Sequence, residues 1–279
     1  MGVREDDFHL NHRFVTSWLI SPTLLAILRS LVALYAFFTL FFILGWQGTH
    51  AALKYRNNQE FGYFTVLTFW GIAFYYLFAA FHTLIYARSG RAPLDRWSRP
   101  LQALHSLFYS TIITFPFLVT IVYWAILFNG TWFTVTFEGY TNVSANPTDL
   151  IPGLNLTQIS RHGLNSLFAI LEVILPATNP SPWLHLPFLV LLLALYVGLA
   201  YVVRASQGFY VYDFLDPATG GSGRVAAYAF GILAAVIVIF VVVWLIVWVR
   251  RRFTGTGKKS RADTTRGRDV EMGRYNGHK

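Results

Sequence analysis

The sequence predicts an all-α polytopic membrane protein: six transmembrane helices in one bundle, with both termini on the cytoplasmic side. Three observations predict it. The 279 residues are 55% hydrophobic and only 13% charged, a membrane composition. The apolar residues fall in long blocks rather than in alternation, and each block approaches the roughly 20 residues that a helix needs to cross a hydrocarbon core of about 30 Å. Finally, basic residues gather in "ARSGRAPLDRWSR" (Arg88, Arg91, Arg96, Arg99) and in the chain from Arg250 onward, whereas the stretch from Phe128 to Arg161 has no Lys or Arg before Arg161 and carries N-x-S/T sequons at Asn129, Asn142 and Asn155. Lysine and arginine favour the cytoplasmic side, and glycan acceptors the lumenal or extracellular side. Two basic segments on one side need an even number of spans between them, and four blocks intervene.

Residues 1–23 form a cytoplasmic segment. Its opening "MGVREDDFHLNH" is too charged for a secretory signal, and Asp6 stands where a myristoylation signal needs Ser or Thr. His9 and His12 are an H-x-x-H pair, weak as metal evidence with only two imidazoles, and take no role. The transmembrane domain, residues 24–249, begins with a span over about 24–46, in which Arg29 is near enough to the start to reach the interface. The second span, about 62–86, carries Thr65 and Thr68 in its outer third. The third covers about 105–128. The fourth, about 160–176, is the shortest and most polar, and it is followed by the inner turn "TNPSPW". The fifth covers about 184–203 and the sixth about 225–249, the latter almost unbroken in Val, Ile, Ala and Trp. Residues 250–279 are a polar, basic tail that supplies most of the net charge of +9 and lacks the apolar residues to build a core. It reads as a topology determinant with attraction for anionic head groups. Nucleic acid binding is not expected, because the aromatic residues lie in the spans and not among the basic ones.

With no cysteine in the chain, disulfides, thiol catalysis and thiolate metal sites are excluded. The chain has no G-x-S-x-G elbow, H-E-x-x-H helix, P-loop or dinucleotide fingerprint. No cofactor and no metal are therefore expected.

Ionisable groups inside a bilayer are costly and mark functional or interhelical sites. On the fourth span His162, Asn165, Ser166, Ala169 and Glu172 fall on one face at 100° per residue, opposite Leu164, Leu167, Leu171 and Leu175. The simplest use of that stripe is packing, with Asn165 and Ser166 bonding across to a neighbouring helix. Glu172 lies ten residues past His162 and must be either protonated or paired. Arg161 reads as an interfacial anchor, and so do His82, His105 and His185 at the inner ends of their spans. His162 enters the membrane from the same outer side as Thr68. A hydroxyl and an imidazole at similar depth are the nucleophile and general base of acyl transfer.

Three stretches carry a family resemblance. "LTF" at Leu67 to Phe69, the His162, Phe168, Glu172 pattern within "RHGLNSLFAILEVI", and "GFYVYDFLDP" at residues 208–217 make the chain similar to the androgen-induced and androgen-dependent TFPI-regulating proteins, a six-span membrane family. The long sequon-bearing loop and Arg204-Ala205, where animal relatives are His-rich, depart from that pattern. The resemblance implies hydrolysis of lipid esters, specifically fatty acid esters of hydroxy fatty acids. It implies Thr68 as nucleophile and His162 as base; Asn165 and Ser166, on the same helix face as His162, are candidate oxyanion donors, and Glu172 is a further supporting candidate. Membrane lipids and an acyl ester are then the partners, and endoplasmic reticulum or connected endomembrane the location, with plasma membrane as the alternative. The competing readings are a non-catalytic lipid-binding or scaffold protein and, third, a transporter, against which stands the lack of an internal repeat.

Overall fold

The computed structural model describes residues 8–49, 54–127 and 159–254. The three sequons at Asn129, Asn142 and Asn155, and the tail beyond residue 254, lie outside the described residues.

Among the described residues every regular element is helical. A short helix, α1 (Phe8–Val15), precedes α2 (Pro22–Thr49), which starts with proline in its first turn, where the missing N–H costs nothing. Next come α3 (Phe64–Ser89) and α4 (Arg99–Ile112). The α3 helix stops at Gly90, whose φ of 68° lets its N–H cap the Tyr86 carbonyl. Ile113 and Thr114 interrupt the third hydrophobic block, because Pro116 cannot continue the ladder. The block resumes as α5 (Phe115–Val122) and widens into a π-turn, Tyr123–Leu127. A second π-turn, Ser160–Leu164, leads into α6 (Asn165–Ile174), followed by α7 (His185–Gln207) and α8 (Gly221–Thr254).

Among the described residues, five helices are long and apolar enough to cross a membrane: α2, α3, the α4–α5 unit through Leu127, α7 and α8. Their outer faces present Leu34 at 69% exposure and Leu195 at 61%, with Phe38, Phe81 and Val238 alongside. A continuous apolar exterior of this kind fits hydrocarbon and not water, as in an integral membrane protein. Within the described residues the expected fourth span is shorter than the other five. With its π-turn it covers Ser160 to Ile174, about 22 Å at the helical rise.

The core is built where small residues let helices approach. Ala33 and Ala36 of α2 face Ala73 and Ala79 of α3, and Phe69, Ile72, Tyr75, Tyr109, Leu118, Leu189 and Phe240 fill the centre.

The ends of the bundle are distinct. At one end α1 folds back onto it: His12 Nε2 lies 2.9 Å from Asp95 Oδ2, Phe14 packs edge-on to His105 and Tyr109, and Ser17 pairs with Pro176. The expected soluble leader is thus docked from Phe8 onward, because its apolar Phe14 and Val15 have a place to go. The other end gathers Glu60, Gly62, the π-turn at Tyr123 and residues 207–215, with Gln207 donating to the Asn58 carbonyl and Tyr196 to that of Gly62. The basic loop of residues 88–99, α1 and Arg250 therefore share one end.

Candidate functional site

At the end opposite α1, the π-turn Ser160–Leu164 widens the entry to α6 and leaves the His162 carbonyl open to the third helix. Thr120 Oγ1 donates to that carbonyl at 3.0 Å and Trp124 Nε1 at 3.3 Å. The imidazole stacks face to face on Tyr123, with centroids 3.8 Å apart and planes 12° from parallel. His162 is buried, and its Nδ1 has no hydrogen-bond partner.

Thr68 is buried on α3 and its Oγ1 is likewise without a partner. A membrane-buried threonine ordinarily returns its hydroxyl to the carbonyl four residues back, as Thr83 does to Ala79 at 2.6 Å in the same helix. Thr68 does not. The registers of α3 and α6 put the two side chains at one level. Tyr76 bonds the Phe168 carbonyl and Tyr75 bonds Glu172, pairs separated by 92 and 97 residues of chain, and the Thr68 to His162 separation falls between them. The two helices touch along this stretch, yet no hydrogen bond joins Thr68 to His162.

A cavity of about 320 Å³ opens beside them, lined by Thr65, Leu118, Tyr123, Leu193, Tyr196 and Phe214, among others. That size is at the lower end of small-molecule sites. Thr65 stands one helical turn before Thr68, and Tyr123 touches both the cavity and the His162 ring; Thr68 and His162 themselves are not on its wall. The segment after α7 supplies the far side: Tyr212 stacks on Phe214 and meets Tyr63 edge-on. Burial holds the Tyr212 phenol above its ordinary value, so the wall stays uncharged.

The supporting candidates divide. Asn165 Nδ2 donates to the Pro116 carbonyl at 3.3 Å, and its Oδ1 accepts from Thr120 Oγ1 at 3.1 Å. Ser166 Oγ sits 2.6 Å from the same threonine and 3.2 Å from the Pro116 carbonyl. Both are spent on the α5–α6 interface, the packing role that the stripe suggested.

Glu172 belongs to a different cluster, about 15 Å further along α6. Its Oε1 and Oε2 accept from Arg29 Nε and Nη2 at 2.8 and 2.7 Å, and Tyr75 adds a third donor at 3.2 Å. Arg29 Nη1 donates to Thr83 Oγ1 at 2.7 Å and to the Phe14 carbonyl at 2.8 Å. Arg29 is 1% exposed, so the expectation that it reaches the interface is corrected: a planar five-donor group with four acceptors inside gains more there than by extending outward. Arg161 is also not an exposed anchor. It is buried, with Nη2 at 2.8 Å from Glu60 Oε2, a charge contact rather than an aligned hydrogen bond, since neither atom meets hydrogen-bond geometry. His82, His105 and His185, expected at the interface, are buried as well. His185 Nδ1 meets Ser110 Oγ at 2.7 Å, and His82 packs against Trp97 of the basic loop, which folds over it.

Reading the sequence alone missed Tyr123, Thr120 and the partners of Glu172. The last carried a signal: an arginine and a glutamate in two apolar blocks are the pair that a membrane interior requires. No family model, no curated protein and no solved structure matches this chain.

Proposed function

We propose that this protein is an intramembrane lipid ester hydrolase with Thr68 as nucleophile and His162 as general base, acting on fatty acid esters of hydroxy fatty acids. The bundle spans the membrane six times, α6 being the fourth span, with both termini cytoplasmic, in the endoplasmic reticulum or a connected membrane. One observation carries the reading. A threonine hydroxyl and an imidazole nitrogen, both buried and both without partners, stand at one level of adjacent helices beside an apolar cavity. The hydroxyls of Thr39 and Thr114 and both nitrogens of His82 lack partners as well, so what supports the reading is not the missing bonds alone but that a nucleophile and a base share one level beside a cavity.

In the proposed cycle the acyl chain occupies the cavity and Tyr123 turns off the imidazole. His162 takes the proton of Thr68 Oγ1 as that oxygen attacks the ester carbonyl. The tetrahedral intermediate collapses, and His162 returns the proton to the departing hydroxy acid. Water then attacks the acyl-threonine with the same histidine as base, restoring the hydroxyl and releasing the fatty acid. Among the described residues no carboxylate bonds His162, so the pair works as a dyad. The topology draws support from the shared end of α1, the basic loop and Arg250, in line with the positive-inside preference.

A non-catalytic lipid-binding bundle is the second reading, favoured by the Tyr123 ring lying on His162. Labelling of the purified protein with a fluorophosphonate probe separates the two. The hydrolase labels, and Thr68→Ala and His162→Ala abolish labelling and ester cleavage while remaining folded. A wild-type protein that neither labels nor cleaves an acyl ester overturns the hydrolase reading.

A further inference from the structure

A second cavity, at the end of the bundle that holds α1, has a different character. It measures about 370 Å³ and is lined by Phe14, Arg99, Gln102, Ser106, Tyr109, Asn179 and Ser181, with prolines 180 and 182. Its walls are rich in donors: a guanidinium, two side-chain amides and three hydroxyls. The positive charge around it exceeds what the lining alone shows. Arg13 donates to Asn179 Oδ1 on its wall, and Arg250 donates to the Thr178 carbonyl next door. Arg251, half-buried on the last turn of α8, is close enough to feel the charges of both Arg13 and Arg250, and its Nε is buried without a partner. Among the described residues, the ion pairs are His12–Asp95, Arg29–Glu172 and Arg161–Glu60. Arg99, Arg250 and Arg251 thus lie at one end of the fold with no carboxylate paired to them among the described residues.

Clustered guanidinium groups repel one another, and they are held together either by a bound anion or by the stability of the rest of the fold. Here the cluster is near a cavity that carries Arg99 and the hydroxyls of Ser106 and Ser181 on its wall, and the fork of an arginine matches the oxygens of a phosphate. The cavity also opens where α4 begins, beside the basic loop, at the level where the bilayer presents phosphates; anionic ones predominate on the cytoplasmic leaflet. We propose that this cavity is a binding site for an anionic phosphate group, with Arg99 on its wall as the cationic contact, Arg251 adding charge from outside the lining, and Ser106 and Ser181 as neutral donors. The site lies at the opposite end of the bundle from Thr68 and His162 and does not depend on the ester chemistry. It also differs from the diffuse attraction of the basic tail, because it is built from folded side chains.

The test uses the full chain purified in an uncharged maltoside detergent, with thermal unfolding followed at increasing concentrations of short-chain phosphatidic acid, short-chain phosphatidylcholine or inorganic phosphate. A ligand that binds only the folded state raises the midpoint as its concentration passes Kd. Phosphatidic acid is expected to stabilise and phosphatidylcholine not. Arg99→Gln should weaken the apparent affinity by about tenfold, the equivalent of one lost charged hydrogen bond, and Arg251→Gln by a smaller factor. Arg224→Gln, at the far end of the bundle, should leave it unchanged, and so should Thr68→Ala. Stabilisation by inorganic phosphate to the same degree identifies a free phosphate as the ligand; stabilisation by the lipid alone identifies a head group. Equal stabilisation by phosphatidylcholine, or equal loss in Arg99→Gln and Arg224→Gln, or no stabilisation by either phosphate compound, overturns the proposal. Loss of ester hydrolysis in Thr68→Ala without loss of phosphatidic acid binding separates this site from the catalytic one.

Discussion

Replacing Glu172 by glutamine is the sharpest perturbation of the bundle centre. The carboxylate accepts three hydrogen bonds, two from Arg29 at 2.8 and 2.7 Å and one from Tyr75 at 3.2 Å, with both partners of the ion pair almost fully buried. Glutamine keeps the shape and one acceptor oxygen but removes the charge, and its amide nitrogen faces a guanidinium that has only donors. Arg29 is then an uncompensated charge, held in place by Thr83 and the Phe14 carbonyl. Breaking a buried pair from one side costs about 3–5 kcal/mol. The phenol adds little, since neutral side-chain hydrogen bonds in membrane proteins average about 0.6 kcal/mol. Unfolding of the purified protein, titrated with a denaturing detergent, should therefore show a loss of about 3–5 kcal/mol. The double variant Arg29→Met with Glu172→Leu should recover most of it, because two apolar side chains replace the pair without stranding a charge. A loss below about 1 kcal/mol in Glu172→Gln, or a double variant no better than the single, refutes the pairing as the organiser of this region.

Three further outcomes follow from the same geometry. Tyr123→Ala uncovers the His162 ring, so modification of that histidine by diethyl pyrocarbonate, read by peptide mass spectrometry, should accelerate several-fold relative to wild type; an unchanged rate means that the stacked tyrosine does not shield it. Leu193→Trp fills the cavity, and the expected result is a raised KM for long acyl esters with fluorophosphonate labelling of Thr68 retained, whereas equal loss of both would place the substrate elsewhere. Asn165→Ala leaves the Pro116 carbonyl and Thr120 without one partner each, at a cost of about 1–2 kcal/mol by the detergent titration. Activity per folded molecule should survive, unless Asn165 is an oxyanion donor.

The fold was legible in proportion to how local its causes are. Blocks such as "VLLLALYVGLAYVV" announce a helix because hydrocarbon leaves the backbone no alternative, and Gly90 and Gly208 mark two of its stops through left-handed φ values of 68° and 81°. The break at Thr114 was not expected in the third span, although Pro116 carried its signal. Thr68 and His162 could be singled out because a hydroxyl and an imidazole enter the membrane from the same side at similar depth. Their lack of partners was not legible, since whether a hydroxyl finds its own backbone depends on a rotamer that packing chooses. Arg29 illustrates the limit in the other direction. Seen in one helix it is an arginine near an end, and only the arrival of Glu172 and Thr83 from two other helices makes the interior its better environment.

The shortness of α6 has a cause that no single segment displays. A helix leaves its last carbonyls unbonded, and a helix ending inside a bundle must have them satisfied by neighbours. The Glu172 carbonyl accepts from Tyr109, that of Val173 from Arg250, that of Ile174 from Trp18 Nε1 at 2.7 Å, and that of Leu175 from Ser17 Oγ at 2.6 Å. Partners thus come from α4, α8 and the segment after α1, and the Arg250 charge is of the sign that a helix C-terminus favours. With its carbonyls satisfied there, α6 can stop at Ile174. Arg250→Met retains length and apolar stem while leaving the Val173 and Thr178 carbonyls without their charged donor. At about 1–3 kcal/mol for each buried acceptor left unpaired, the loss should be about 2–6 kcal/mol. It should fall on one end of the molecule, with amide hydrogen exchange rising in residues 171–180 and not in α2 or α3. Uniform exchange across the bundle would mean that Arg250 supports the whole fold and that the length of α6 is set by something other than its cap.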